Sequence, residues 1–151
     1  LWKALLDDRI DVIATDHAPH TIDEKKNVYT SAPSGGPLVQ HALPAMLEMY
    51  HKEKISLEQI AEKMCHNPAI LFQIERRGYI KEGYFADLVL VDLNNPWTVT
   101  KDNILYKCGW SPFEGTTFKS RITHTLLNGV LVYQNTQFSK QNAAMRLTFE
   151  R

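Results

Sequence analysis

Residues 10–20 read Ile10-Asp11-Val12-Ile13-Ala14-Thr15-Asp16-His17-Ala18-Pro19-His20. Apart from Asp11, the first six are apolar or β-branched. A compact run of this kind predicts a buried strand of a parallel sheet. It stops abruptly at Asp16, His17 and His20. In α/β folds, ligands meet the protein at the carboxyl ends of such strands. A carboxylate there can bind a metal ion and accept a proton. An imidazole four positions on can bind metal or donate a hydrogen bond to an anion. The plainer reading is that Asp16 caps a turn. Position and residue type leave both readings open.

Upstream, Leu1–Leu6 reads as the end of a helix, broken by Asp7-Asp8-Arg9. Downstream, residues 21–30 read as a polar loop, and Ser31 to Pro37 is rich in turn formers. Gly35 and Gly36 either serve a flexible connection or let the backbone approach a small ligand closely. Residues 38–50 carry a helical apolar pattern, and Pro44 inside it predicts a kink or a late start. Ser56-Leu57-Glu58-Gln59 is a capping box. Asn67-Pro68 predicts a second helix start, with Asn67 as its cap.

After Gly78 the pattern changes. Residues 86–93, 97–100, 121–127 and 130–133 read as strands, and Asn128-Gly129 predicts a hairpin turn. The second half is therefore expected to be antiparallel β. A parallel strand needs partners, and the chain offers no further strand–helix unit. It also begins Leu1-Trp2-Lys3-Ala4, without Met. Both features suggest a piece of a larger protein, entered partway through.

Composition narrows the function classes. The 151 residues carry 17 basic and 17 acidic side chains, and 44% are hydrophobic. That argues against disorder and gives no bulk positive charge for a nucleic-acid partner. No apolar stretch suits a transmembrane helix. The two cysteines, Cys65 and Cys108, lack zinc-ligand spacing and read as free thiols in a reducing cytoplasm. There is no GxGxxG or Walker loop. His41, His51, His66 and His124 are scattered and read as structural or surface residues.

Taken together, the motifs resemble one family. Thr15-Asp16-His17-Ala18-Pro19-His20 resembles the TDHAPH motif of the dihydroorotase and allantoinase branch of the amidohydrolase superfamily. Pro33-Ser34-Gly35 lies where that family carries its substrate loop. Asn67-Pro68-Ala69, then Gly83 to Asp92, resembles its NPA…G..ADLVLVD passage. Ser111-Pro112-Phe113-Glu114-Gly115, then Thr125 to Gly129, resembles its SPFxG…T..NG ending. The likeness covers essentially the whole chain in order.

The resemblance implies an α/β fold: the last part of a metal-dependent (β/α)8 barrel plus part of a small β-rich, sandwich-like domain. Residues 1–76 would supply the last barrel strand and its helices, and residues 77–151 the β-rich portion. Asp16 would end the eighth strand, ligate the metal and act as general base and acid. His20 would hold the substrate carboxylate, and the backbone of Ser34 and Gly35 would contact the ring. His17 receives no direct role.

The implied cofactor is Zn2+, as one or two divalent ions in the full-length enzyme. The implied substrate pair is the small molecules dihydroorotate and carbamoyl aspartate, in pyrimidine biosynthesis. The alternatives are allantoinase, another cyclic amidase of the hydantoinase kind, or a non-catalytic scaffold. The family's HxH, carboxylated Lys and further metal-binding His residues lie upstream of this segment. The rest of the parent chain is therefore an expected partner, the segment alone is expected to be inactive, and homo-oligomerisation is compatible with the family. The substrate loop departs from the common PFGxxGxE run by Leu38 in place of Gly and Gln40 in place of Glu.

Overall fold

The first half of the chain is built from short helices whose ends are written locally. In the computed structural model, which describes residues 1–150, α1 spans Trp2–Leu6 and α2 spans Ile22–Lys25. A 3-10 turn at Val39–His41 leads into α3, Ala42–His51. Pro44 is the third residue of α3. There its missing N–H has no intrahelical partner to lose. The late start is thus the outcome, and Pro44 sits in the first turn.

The Ser56 box forms as read: its hydroxyl accepts from Gln59 N–H at 3.1 Å, and Gln59 Oε1 accepts from Ser56 N–H at 3.0 Å. It opens α4, Leu57–Ala61, which runs through a π turn at Glu62–His66 into α5, Asn67–Leu71. Asn67 is therefore not a cap. It is helical, with φ −62°, and Pro68 follows it in the first turn of α5. The Asn67 side chain instead donates 2.7 Å to the carbonyl of Asp11, tying helix to the 10–15 run.

That run departs from the sequence reading in its pairing. Residues 10–15 are extended but join no sheet among the described residues. Their tie is to helix: Ile13 N–H donates to the Lys63 carbonyl at 3.0 Å. Lys63 is buried and donates to Asp8 and to the Ile10 carbonyl. The Asp8 carboxylate raises the affinity of Lys63 for its proton. A run suited to a parallel sheet forms a ladder only beside another strand, and among the described residues none pairs with it. The polar loop 21–30 is a correction, because Thr21 and Glu24 close a capping box that opens α2.

The second half is antiparallel, as expected. Strands β1 (Leu88–Asp92), β4 (Arg121–Leu127), β5 (Val130–Gln134) and β6 (Gln137–Phe138) form one sheet in the order β1-β4-β5-β6. β2 (Trp97–Thr98) and β3 (Thr117–Phe118) pair as a separate ribbon. The Asn128-Gly129 hairpin forms with φ of 52° and 80°, the two positive angles a two-residue turn needs.

Helices and sheet share a core. Leu5, Leu47, Ile55 and Ile60 are buried together, with Ile13, Val91 and Leu93 packed on them. Arg77 links the crossing between the halves to the hairpin. It stacks on Phe85 at 4.3 Å, pairs with Asp87 and donates to Asn128 Oδ1 at 2.6 Å. Gly78 makes that crossing fit: with φ 83°, a Cβ there would stand 2.5 Å from Ala69 Cβ.

Candidate active site

The 10–15 run ends at Asp16 in left-handed backbone, φ 44°. Asp tolerates that conformation better than most residues. The bend brings the following residues against the glycine loop. His17 and Gly36 form a parallel bridge, and Ala18 N–H donates to the Gly36 carbonyl at 3.0 Å. The approach is close: a Cβ on Gly35, φ 77°, would stand 2.7 Å from Ala18 Cβ and 3.9 Å from the Asp16 carbonyl oxygen. Only glycine fits there without a shift.

Asp16 and Gly35 are thus backbone neighbours, and Ser34 is the next residue along the same loop. Asp16, Ser34 and Gly35 are all exposed. The Asp16 carboxylate has no hydrogen-bond or ion-pair partner among the described residues. His20 is half-buried a few residues on. Its N–H donates to the Ala18 carbonyl at 2.9 Å, and its carbonyl accepts the Trp110 indole N–H at 2.8 Å.

Two residues to which the sequence reading gave no role brace this loop. Lys25 donates from Nζ to the carbonyls of Pro33 at 2.5 Å and Gly35 at 2.9 Å. It is carried by α2, whose box binds the Glu24 carboxylate to the N–H and hydroxyl of Thr21 and lowers its pKa. The Thr-x-x-Glu spacing was the available signal. His17 Nδ1 accepts the N–H groups of Leu38 at 3.1 Å and Val39 at 3.3 Å, so its proton lies on Nε2.

The two departures in the loop have local reasons. Gln40 donates from Nε2 to the Asn103 carbonyl at 2.7 Å and accepts the Leu105 N–H on Oε1 at 2.9 Å. A carboxylate could accept but not donate. Leu38 has φ −120°, which requires no glycine.

Behind the loop lies His41, fully buried. Its Nδ1 meets the Tyr106 hydroxyl at 3.2 Å and the Ser111 hydroxyl at 3.1 Å, while Nε2 has no hydrogen-bond partner among the described residues. Phe113 and Trp97 lie 5.6 and 6.0 Å from its ring. Burial lowers its pKa, because a charged imidazole has lost its water there.

A metal centre needs three or more converging ligands. Among the described residues no three His, Cys, Asp or Glu side chains converge in that way. Asp16, exposed and without a partner among the described residues, suits one coordination position. Cys65 and Cys108 are both free thiols. No helix among the described residues is long and apolar enough to cross a membrane.

The extended 10–15 run thus ends in an unpaired carboxylate beside a glycine-rich loop, ahead of helices and an antiparallel sheet. The chain belongs to the amidohydrolase family, whose profile matches residues 1–132. It is 38% identical over 134 residues to a dihydroorotase of Pyrococcus furiosus, covering 89% of this chain and 31% of that protein. It is 46% identical over 115 residues to a dihydroorotase of Halobacterium salinarum, covering 76% of this chain and 27% of that one. Among solved structures, an L-hydantoinase (dihydropyrimidinase) from Arthrobacter aurescens superposes with a TM-score of 0.85 at 28% identity, over 91% of this chain and 32% of that chain. The chain thus spans about a third of the length of the relatives it matches.

Proposed function

We propose that this chain is the carboxyl-terminal part of a dihydroorotase, a cyclic amide hydrolase that interconverts N-carbamoyl-L-aspartate and L-dihydroorotate in pyrimidine biosynthesis. The observation that carries the reading is the strand end: an unpaired, exposed Asp16 held beside the Ser34-Gly35 backbone. The likeness to dihydroorotases supports the choice of substrate. Residues 1–76 are then the last strand and helices of a (β/α)8 barrel, and residues 77–151 part of a β-rich domain. The unladdered run 10–15 is the strand whose neighbours belong to the rest of the parent chain.

In this reading each residue has a chemical task. Asp16 accepts the proton of the attacking water and delivers it to the ring nitrogen as the amide C–N bond breaks. Its exposed carboxylate is free to do so. His20 donates to the substrate carboxylate, a charge-assisted bond that fixes the ring. The backbone of Ser34 and Gly35 borders the ring, with Gly35 leaving space where a side chain would stand. A divalent ion such as zinc, held with ligands from the parent chain, would supply Lewis acidity at the amide carbonyl.

The test is hydrolysis by the full-length parent of dihydroorotate, allantoin and hydantoin side by side. Preference for dihydroorotate is expected. Preference for hydantoin would move the assignment to the hydantoinase-like enzymes, which the solved structural relatives favour. The Asp16→Asn variant should lose about 10²- to 10⁴-fold in kcat, the usual contribution of a general acid–base group. Retention of full activity would remove Asp16 from the chemistry.

A further inference from the structure

Three loops remote in sequence close on one another beside the strand end, and their contacts form a ring. Trp110 reaches 90 positions back to donate its indole N–H to the His20 carbonyl. The far edge of its ring, Cη2, lies 3.9 Å from where a Cβ on Gly36 would stand. Tyr106 sets its ring against that of His17, centroids 5.2 Å apart, and its hydroxyl accepts the Gln40 N–H at 2.9 Å. His17 in turn holds the N–H groups of Leu38 and Val39. The 106–110 loop thus touches the strand end and the glycine loop at once.

We propose that Trp110 and Tyr106 are positioning residues that fix His20 and the Ser34–Gly36 backbone for substrate. This rests on the dihydroorotase reading above. The physical basis is the imbalance of support at the site. Asp16, Ser34 and Gly35 are exposed and gain little from packing. The orientation of His20 depends on which way its backbone faces. An indole N–H is a donor only, on a flat ring with two side-chain torsions. It fixes one carbonyl direction at little entropic cost. Tyr106 uses its ring on His17 and its hydroxyl on Gln40, and so joins the two loops through a single side chain.

The variant that tests this is Trp110→Phe in the full-length parent, which keeps one aromatic ring and removes both the N–H and the Cη2 edge beside Gly36. Its KM for dihydroorotate should rise about tenfold with kcat within about twofold, as when ground-state and transition-state binding are lost equally. The amides of Ala18, His20, Leu38 and Val39 should exchange with deuterium about tenfold faster. The control is Tyr133→Phe on β5, which likewise trims a polar group from an aromatic ring, here one packed against Phe138 at 5.1 Å in the four-stranded sheet. It should change neither KM nor those amides.

Wild-type KM and exchange in Trp110→Phe would overturn the proposal. So would an equal KM rise in Tyr133→Phe, since the effect would then be general loosening. If the unsubstituted parent does not hydrolyse dihydroorotate, the functional reading falls by itself. The exchange arm then decides the positioning role alone: faster amides in Trp110→Phe but not in Tyr133→Phe support it, and unchanged amides end it.

Discussion

At the strand end, Asp16, Pro19, Ser34 and Gly35 face solvent, while some residues away Phe118, His41, Val99 and Ser120 are almost wholly enclosed. The exposed group carries the proposed chemistry and has little packing of its own. The buried group carries no proposed chemistry and is held on every side. The two are joined through hydrogen bonds and one ring contact: His41 meets Tyr106 and Ser111, Tyr106 meets Gln40 and sets its ring against His17, and Trp110, beside Ser111, meets His20. The difference teaches where rigidity comes from in such a site. A carboxylate that must remain free cannot be fixed by its own contacts, so its surroundings are fixed by a packed cluster behind them.

The comparison breaks most readily at the cluster. Phe118 is 1% exposed and sits within 5.5 Å of Phe113 and 5.6 Å of Trp97, ring to ring. Phe118→Ala in the full-length parent should lower unfolding stability by about 3–5 kcal/mol, the cost of an aromatic cavity. Denaturant unfolding measures it. A loss below about 1 kcal/mol would mean that the cluster is not the anchor described.

A smaller effect is expected at the exposed side. Gly35→Ala forces φ 77° on a side chain and drives a Cβ to 2.7 Å from Ala18 Cβ. The conformational part alone costs about 1–2 kcal/mol. KM for dihydroorotate should rise more than stability falls, since the loop is exposed. Adding Ala18→Gly removes the atom that is struck and should recover part of the loss. If it recovers nothing, backbone angle rather than close approach governs the site.

The smallest effect is a pH dependence. His41 titrates lower in the folded chain than when unfolded, because burial disfavours its charge. Below the ordinary histidine range the unfolded state therefore binds the extra proton first, and stability falls as pH falls. The contribution is complete above the unfolded value of about 6.5 and is lost progressively toward the lower folded value. Thermal melts of the parent between neutral and mildly acid pH should show the decline, and His41→Gln should flatten it. An equal decline in both would assign it to other groups.

The signals legible in sequence were those closed within a few residues. The Ser56 box, Pro44 and Pro68 in first turns and the Asn128-Gly129 hairpin each depend on bonds or angles spanning about four positions. So does the clustering of Asp16, His17 and His20 after an apolar run, and the motif order from Thr15 to Gly129 was enough to suggest the family.

What only the tertiary structure decided were the partners. The run 10–15 has a strand's composition, yet it lies along the π turn of Lys63, because hydrogen bonding in a sheet depends on a neighbour and not on the residue itself. His41 looked like any scattered histidine until Trp97, Tyr106, Phe113 and Phe118 enclosed it. Lys25 lay in what read as a polar loop, and only the packed chain brings its ammonium to two loop carbonyls. Trp110 and His20 are 90 positions apart, and no local pattern links them. Residue type sets what each group can donate, accept or exclude; which group meets it is settled when the whole chain packs.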